Sequence, residues 1–135
     1  MIVVDASLVL AWAYSDERTE AVVRTLKQVA TEGGIAPVIW PLEIANSLEL
    51  SLIRKRIQIA DRDQIVATLD RLNIEVEALL LNRVWSTSAQ LARRHGLTVY
   101  DATYLELALR LRLPLASLDK ELIAAARAEG VAVLP

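Results

Sequence analysis

The residues of this sequence best placed to do chemistry are carboxylates that lie next to short apolar runs. Asp5 directly follows the run Ile2–Val4, and Glu43 lies shortly after a second run. Asp119 follows a third run, and Asp101 begins the helical stretch that leads into it. If these runs are parallel strands, their carboxyl ends share the edge of the sheet at which ligands bind. The sequence therefore predicts that the four acids converge on one rim.

A cluster of this composition points to a particular chemistry. Carboxylates held close together repel one another, which raises their pKa values unless a cation intervenes. The chain has no cysteine and only one histidine, His95, so thiolate sites and multi-histidine sites are excluded. Oxygen ligands alone favour a hard ion, Mg²⁺ or Mn²⁺. Such an ion can activate water and stabilise a leaving oxygen, which indicates phosphodiester hydrolysis without a protein nucleophile.

Each acid also has a purely structural explanation when it is taken alone. Asp101 and Asp119 are placed as helix N-caps, and Asp5 could cap a helix after its strand. Glu43 near a helix N-terminus is favoured by the helix dipole. The hypothesis of a site depends on all four acids occurring together on one rim.

The elements that must position these acids alternate in type along the chain. Predicted strands are short and apolar, at Ile2–Val4, Ile35–Trp40, Ile74–Val76, Leu115–Ser117 and Val131–Leu134. Predicted helices follow a helical period or capping residues, at Arg18–Glu32, Pro41–Arg56, Asp61–Leu72, a stretch ending at Gly96, Asp101–Arg112 and Asp119–Glu129. The core face predicted for the second helix comprises Leu42, Ala45, Leu48 and Leu52. Strands spaced by helices imply parallel pairing, hence a three-layer α/β domain.

Composition limits the class of protein further. The 135 residues, 54% of them hydrophobic, fit one compact domain with a sizeable core. No signal peptide or membrane-spanning run is expected, and the absence of cysteine fits a reducing cytoplasm. The net charge is −2, but setting the four candidate ligands aside leaves 13 acidic against 15 basic residues. Net charge therefore neither supports nor excludes binding to nucleic acid.

Four segments carry a resemblance to a known family. Segment 1–7 ends in Asp-x-Ser, segment 40–48 contains Glu-x-x-Asn-x-Leu, segment 100–104 reads Tyr-Asp-Ala-Thr-Tyr, and segment 113–120 contains Ser-x-Asp. In this order and spacing they resemble the PIN-domain family of metal-dependent ribonucleases, and most of all the VapC-type toxins of toxin–antitoxin pairs. The resemblance implies a single PIN domain over residues 1–135, with a central sheet of about five parallel strands.

The same resemblance implies the site and the partners. The acids that would ligate one or two Mg²⁺ or Mn²⁺ ions, and so carry catalysis, are Asp5, Glu43, Asp101 and Asp119. The substrate would be RNA, often tRNA or rRNA, cleaved endonucleolytically. A cognate VapB-like antitoxin would hold the enzyme inactive, and the chain would form a homodimer. No membrane partner is implied.

Three polar residues are expected to support the acids. The resemblance implies that Ser7 and Ser117 hydrogen-bond the carboxylates or a metal-bound water. Asn46 lies one helical turn from Glu43, so it could steady that carboxylate, contact substrate, or simply be an exposed helix residue.

The remaining basic and aromatic residues have weaker functional signals. The basic run Arg54–Arg56 could meet RNA phosphates, although a solvated helix end explains it better. The aromatic side chains able to stack on bases are Trp12, Tyr14, Trp40 and Trp85. With no phenylalanine in the chain, we expect them to fill the core or an interface.

Three other classes of protein share parts of this pattern. A haloacid-dehalogenase-like phosphatase would need a second acid at the position of Ser7, and a response-regulator receiver would need a phosphoacceptor for which Glu77 is a poor substitute. The stronger alternative is a PIN-like module that binds RNA or protein without turnover. A retired site has no physical reason to keep four mutually repelling carboxylates, which favours the enzyme.

Overall fold

The computed structural model describes all 135 residues. The strands are β1 (Ile2–Val4), β2 (Gly34–Pro37), β3 (Glu75–Glu77), β4 (Leu115–Ala116) and β5 (Val133–Leu134). The helices are α1 (Ala6–Ala13), α2 (Glu20–Glu32), α3 (Ile39–Ile53), α4 (Ile59–Leu72), α5 (Leu81–Arg83), α6 (Ala89–His95), α7 (Val99–Leu111) and α8 (Lys120–Ala128). A π-helical segment, Val84–Ser88, joins α5 to α6.

The five strands form one all-parallel sheet in the order β3-β2-β1-β4-β5. The prediction of a parallel sheet of about five strands is therefore confirmed. β1 lies at the centre, with Val3 paired to Ile35 on one side and to Leu115 on the other. The chain first builds outward from β1 through β2 to β3 and then returns to place β4 on the other side of β1. The order of the strands reverses at this point, so a ligand site is expected beyond the ends of β1 and β4.

Helices cover both faces of the sheet. α1 contacts α2 and α3 in one layer, whereas α7 contacts α6 and α8 in the other and also packs on β1, β2 and β4. A core of 29 buried residues joins the layers, and all three residues of β1 are fully buried in it. Such burial explains why the central strand is a continuous apolar run rather than an alternating one. No helix is both long and apolar enough to cross a membrane.

Two glycines make the sharp connection from α2 to β2. Gly33 follows the helix with φ 88°, in the left-handed region that glycine adopts without strain. Gly34 begins the strand, and a Cβ at this position would lie 2.9 Å from Val29 Cγ1 and 3.2 Å from Val4 Cγ2. The helix therefore packs against the central strand more closely than any side chain at position 34 would permit.

The second strand is shorter than predicted, and the helix after it begins earlier. The sequence predicts a strand through Trp40 and a helix from Pro41, but β2 ends at Pro37 and α3 begins at Ile39. The β-branched pair Val38 and Ile39 favoured a strand assignment. Pro41 is tolerated inside the first helical turn because those backbone N–H groups have no intrahelical acceptor.

The face that α3 buries was also predicted wrongly. Leu42 is 62% exposed and Ala45 is exposed, so of the predicted face only Leu48 is fully buried. The buried residues of the helix are Trp40, Ile44, Leu48 and Ser51. Apolar residues lie on almost every side of α3, so their spacing alone did not single out the face that packs on the sheet.

Two helices are capped by a different residue from the one predicted. Asp61 was expected to cap α4, but Gln58 is the N-cap, and the Asp61 carboxylate accepts the Gln58 backbone N–H at 2.9 Å. Asp101 was expected to begin α7, but Thr98 is the N-cap, and its hydroxyl accepts the Asp101 backbone N–H at 3.1 Å. In both helices the acid is the third helical residue, where it remains favoured by the helix dipole.

Candidate active site

Asp5 is the most deeply buried acid of the molecule, and two serine hydroxyls hold it. It follows β1 directly, is 4% exposed, and its backbone N–H donates to Ala116 of the neighbouring strand at 2.9 Å. Ser7 Oγ donates to Asp5 Oδ2 at 2.5 Å, and Ser117 Oγ donates to the same oxygen at 2.8 Å. The sequence expectation that Ser7 and Ser117 lie against a carboxylate agrees with this geometry.

The two serines also fix the loop beyond β4. Ser7 Oγ accepts the backbone N–H of Leu118 at 2.9 Å, and Ser117 Oγ accepts that of Asp119 at 3.1 Å. Each hydroxyl therefore donates to Asp5 and accepts from the loop that carries Asp119. This bonding holds Asp5 and Asp119, the first and last of the four candidate acids, in a fixed relation.

Glu43 is positioned by a residue that the sequence analysis did not single out. It lies in the first turns of α3, and the hydroxyl of the fully buried Tyr104 donates to its Oε1 at 2.6 Å. Tyr104 belongs to α7, in the other helical layer, so the bond joins the two layers at the rim. Asn46 is exposed and its side chain makes no hydrogen bond, so Tyr104 and not Asn46 steadies Glu43.

The other two acids lie at helix N-termini. Asp101 is in the first turn of α7. Asp119 is the N-cap of α8, as predicted, and its Oδ1 accepts the Leu122 backbone N–H at 3.0 Å while Oδ2 accepts no hydrogen bond. The structural explanation of Asp119 as a helix cap is thus correct. The second carboxylate oxygen remains free for another interaction.

Burial and like charge raise the pKa of Asp5. Desolvation is the main cause, and the negative charge of Asp119 raises the pKa further. The hydrogen bonds from Ser7 and Ser117 act in the opposite direction, because they favour the ionised form. The serines therefore offset part of the cost of holding a buried carboxylate without a cation.

The pKa values of Glu43 and Asp101 are raised for the same reasons. Desolvation comes first for both, and repulsion from other acids of the cluster adds to it. The Tyr104 hydroxyl lowers the pKa of Glu43, and the Thr98 hydroxyl lowers that of Asp101. The negative charges of all three other acids raise the pKa of Glu43, so the structure brings the four predicted residues within electrostatic range of one another. We call Asp5, Glu43, Asp101 and Asp119 the carboxylate rim.

No cation of the protein balances this rim. Arginine and histidine side chains form ion pairs elsewhere, but no basic side chain pairs with these four acids. Glu121, which was not predicted, adds a further repulsive charge near Asp101. A set of oxygen donors with excess negative charge fits a hard divalent cation.

The arrangement sets a limit on how an ion would be held. No group of three or more histidine, cysteine, aspartate or glutamate side chains is disposed so as to hold a metal ion. Mg²⁺ keeps several waters and is commonly bound through one or two carboxylates together with substrate phosphates. The residues present therefore fit such an ion as partial ligands, with the remaining positions left for water and substrate.

The other residues considered from the sequence form no side-chain hydrogen bond or ion pair with the rim acids. His95 pairs with Glu129 at 2.7 Å and forms no ion pair with a rim acid. Tyr14 and Trp40 are buried, whereas Trp85 is 75% exposed and Trp12 is half-buried. Tyr14 and Trp40 therefore belong to the core, and the expected interface role of the exposed Trp85 stays a prediction.

The fold and the rim together define an α/β domain with an acidic site where its parallel sheet reverses strand order. The family model of the PIN domain matches residues 2–128, and the chain belongs to this family, whose members are generally nucleases. No curated protein sequence matches the chain significantly.

Solved structures agree with the fold. The crystal structure of PAE2754 from Pyrobaculum aerophilum is similar with a TM-score of 0.71 at 23% identity, over 98% of this chain and 81% of that chain. FitAcB from Neisseria gonorrhoeae gives 0.68 at 19% identity, over 100% and 97%. FitAB bound to an IR36 DNA fragment gives 0.68 at 20% identity, over 99% and 94%. At these identities the likeness shows a shared fold.

Proposed function

We propose that this protein is a Mg²⁺- or Mn²⁺-dependent endoribonuclease that acts as the VapC-type toxin of a toxin–antitoxin pair. The observation that carries the proposal is the carboxylate rim: four acids without a cationic partner, held together at the switch point of a PIN fold. Their mutual repulsion destabilises the folded chain, and a bound cation would relieve it. A site that costs stability in this way is typical of function.

The chain's own residues have distinct roles in this proposal. Asp5, Glu43, Asp101 and Asp119 would hold the ion, one or two of them as direct ligands and the others by orienting water. When bound, the ion supplies Lewis-acid polarisation of the phosphate and an activated water.

Hydrogen bonds keep these ligands in place. Ser7 and Ser117 fix Asp5 and favour its ionised form, and Tyr104 does the same for Glu43. Supports of this kind orient ligands around a metal and tune their basicity.

Cleavage of total cellular RNA tests the proposal directly. Purified protein is incubated with Mg²⁺, Mn²⁺ or EDTA beside an Asp5→Asn variant and a Glu129→Gln control at a distant ion pair. We expect discrete fragments that require metal, persist in the control and vanish in Asp5→Asn. Sequencing the fragment ends identifies the RNA and its cut site. RNA binding without any cleavage by pure, antitoxin-free protein would instead support a module that binds without turnover.

If the protein is a toxin, the proposal also includes a cognate antitoxin as its partner and the cytoplasm as its site of action. Both come from the resemblance to VapC-type toxins, with residues 1–135 acting as one PIN domain. We expect induced expression of the chain alone to arrest bacterial growth and expression of Asp5→Asn to leave growth unaffected. Growth arrest by both variants would contradict a toxin that works through RNA cleavage.

A homodimer is the remaining part of the proposal. The residues that line a cavity of about 290 Å³ include large apolar side chains that are exposed: Val38, Leu79, Leu80, Val99 and Tyr100. A contiguous patch of this kind marks an interaction surface, and we assign it to a second copy of the chain. Light scattering should give a dimer mass for the wild type and a monomer mass for Leu79→Asp. An unchanged mass would contradict this assignment.

A further inference from the structure

A groove leads away from the carboxylate rim between α1 and α3. It has a volume of about 370 Å³, and it begins at Ser7 and Leu118, beside the rim acids. On α1 it runs from Ser7 to Tyr14, and on α3 it runs from Ser47 to Arg54. Seven residues of helix on each wall correspond to about 10 Å. The groove therefore connects the acidic site to a cationic residue at its far end.

Arg54 is the unpaired basic side chain at that end of the groove. It is exposed and forms no ion pair with any acid of the protein. Its neighbour Arg56 is committed, because it pairs with Asp16 at 3.0 Å and Glu17 at 3.1 Å and lies 3.9 Å above the Tyr14 ring. Arg56 in turn offsets the two acids that would otherwise repel an anion.

The walls between the two ends suit a nucleotide strand. Leu10 and Leu50 offer apolar surface to sugars and bases, and the Tyr14 and Ser51 hydroxyls are hydrogen-bonded to each other at 2.6 Å. No charged side chain lines the groove except at its far end. A length of about 10 Å matches roughly three stacked nucleotides at ~3.4 Å each.

We propose that the α1–α3 groove binds the strand of the RNA substrate that leaves the site, and that Arg54 contacts one of its phosphates. This inference rests on the proposed nuclease function and deepens it. Arg54 acts on binding and not on the chemical step, because it lies a full groove length from the rim. Such a phosphate contact adds affinity and fixes the position of the strand without reading its sequence.

The test compares Arg54→Ala with a matched control, Arg127→Ala. Arg127 is also exposed and unpaired near a helix C-terminus, but it belongs to α8 in the opposite layer. Binding of a fluorescent single-stranded RNA of mixed sequence is measured in EDTA at several salt concentrations, and cleavage of the same RNA is measured with Mg²⁺ and with Mn²⁺. Thermal melts check that both variants fold.

We expect Arg54→Ala to raise KM several-fold with kcat unchanged, and to reduce the slope of log affinity against log salt by about 0.7, the value for one phosphate on a single strand. Arg54→Lys should restore most of the slope. An Arg54→Ala variant with the same KM and salt slope as Arg127→Ala would overturn the inference, and so would a wild-type protein that binds no RNA. If the wild type binds RNA with the expected Arg54 dependence but cleaves nothing, the groove stands and the nuclease function fails.

Discussion

Two clusters of charged side chains in this protein are built in opposite ways. In the first, Arg110 donates to both oxygens of Glu77 and, at 2.8 Å, to Glu106, while Arg83 donates to Glu106 at 3.1 Å. Each of the two acids therefore has a cation in contact. In the carboxylate rim the acids have hydroxyl and backbone donors but no cation.

The difference separates structure from function. A buried charge is tolerated when it is paired and hydrogen-bonded, and the network of Arg83, Glu106, Arg110 and Glu77 meets that condition while joining α5, α7 and β3. The rim does not meet it, and its pKa values are raised as a result. We therefore propose that a bound cation supplies the missing positive charge at the rim, and we regard the network as a structural link.

The largest expected effect on stability comes from breaking the paired network. Arg110→Ala leaves Glu106, which is 7% exposed, with only the half-exposed Arg83 as a partner. We expect a loss of about 2–3 kcal/mol, below the ~3–5 kcal/mol for a fully buried pair because Arg83 remains. Urea denaturation measures it, with Arg127→Ala as the control. A loss equal to that of the control would show that the network contributes no more than a surface arginine.

Tyr104→Phe is expected to weaken the rim's function with little effect on folding. The substitution keeps the buried ring but removes the donor to Glu43, whose pKa should rise further. Loss of a support of this kind costs about 10–100-fold in metal affinity or activity. Cleavage rates at limiting Mn²⁺ measure the effect, and Glu129→Gln, at an ion pair that involves no rim acid, is the control. Equal cleavage rates for the two variants would show that the Tyr104 hydroxyl does not support the site.

Asp5→Asn should stabilise the metal-free protein, in contrast to Arg110→Ala. Asparagine keeps an oxygen for the hydroxyls of Ser7 and Ser117 but removes a buried charge that Asp119 repels. A gain of about 0.5–2 kcal/mol is expected, as for other substitutions that relieve strain at a site. Thermal melts in EDTA measure it. A destabilised Asp5→Asn variant would mean that the Asp5 carboxylate stabilises the fold.

The pH dependence of stability should have opposite signs for Asp5 in the carboxylate rim and for Glu129 in its ion pair. Asp5 has a raised pKa, so the folded state binds more protons than the unfolded state. Its destabilising effect is full above the folded pKa and is lost as pH falls from the folded pKa towards the unfolded pKa. Glu129, whose pKa is lowered by His95 and Arg94, contributes stability above its unfolded pKa and loses it as pH falls. On acidification, the stability that Asp5→Asn gains over the wild type should therefore shrink. The stability that Glu129→Gln loses relative to the wild type should shrink as well. A pH-independent gap for either variant contradicts its assigned charge state.

Much of the fold could be predicted because its signals are local. The apolar run before Asp5 and the proline and glycine boundaries of the last third each depend on neighbouring residues only. α1 was missed because its sequence is apolar throughout, without the polar face that marks a surface helix. The start of α3 was misplaced because the β-branched Val38 and Ile39 favour a strand locally, whereas packing on the sheet decides in favour of a helix.

The candidate site was predictable in its acids but not in their supports. Each rim acid lies beside a strand end or helix start, which is a local feature. Tyr104 is 61 residues from Glu43, and Arg110 is 33 from Glu77, so neither contact follows from local spacing. Such contacts depend on how α7 crosses the sheet, which no local pattern specifies. A supporting role for Ser117 was expected from the resemblance, as the serine of the Ser-x-Asp segment.

The most direct test of the account is calorimetric titration of the protein with Mn²⁺, for the wild type, Asp5→Asn and Glu129→Gln. We predict saturable binding by the wild type and Glu129→Gln and none by Asp5→Asn, with a gain in stability of about 2.7 kcal/mol at 100 times Kd only in the variants that bind. Absence of binding to the wild type, or equal binding by all three proteins, would contradict the claim that the carboxylate rim is a cation site.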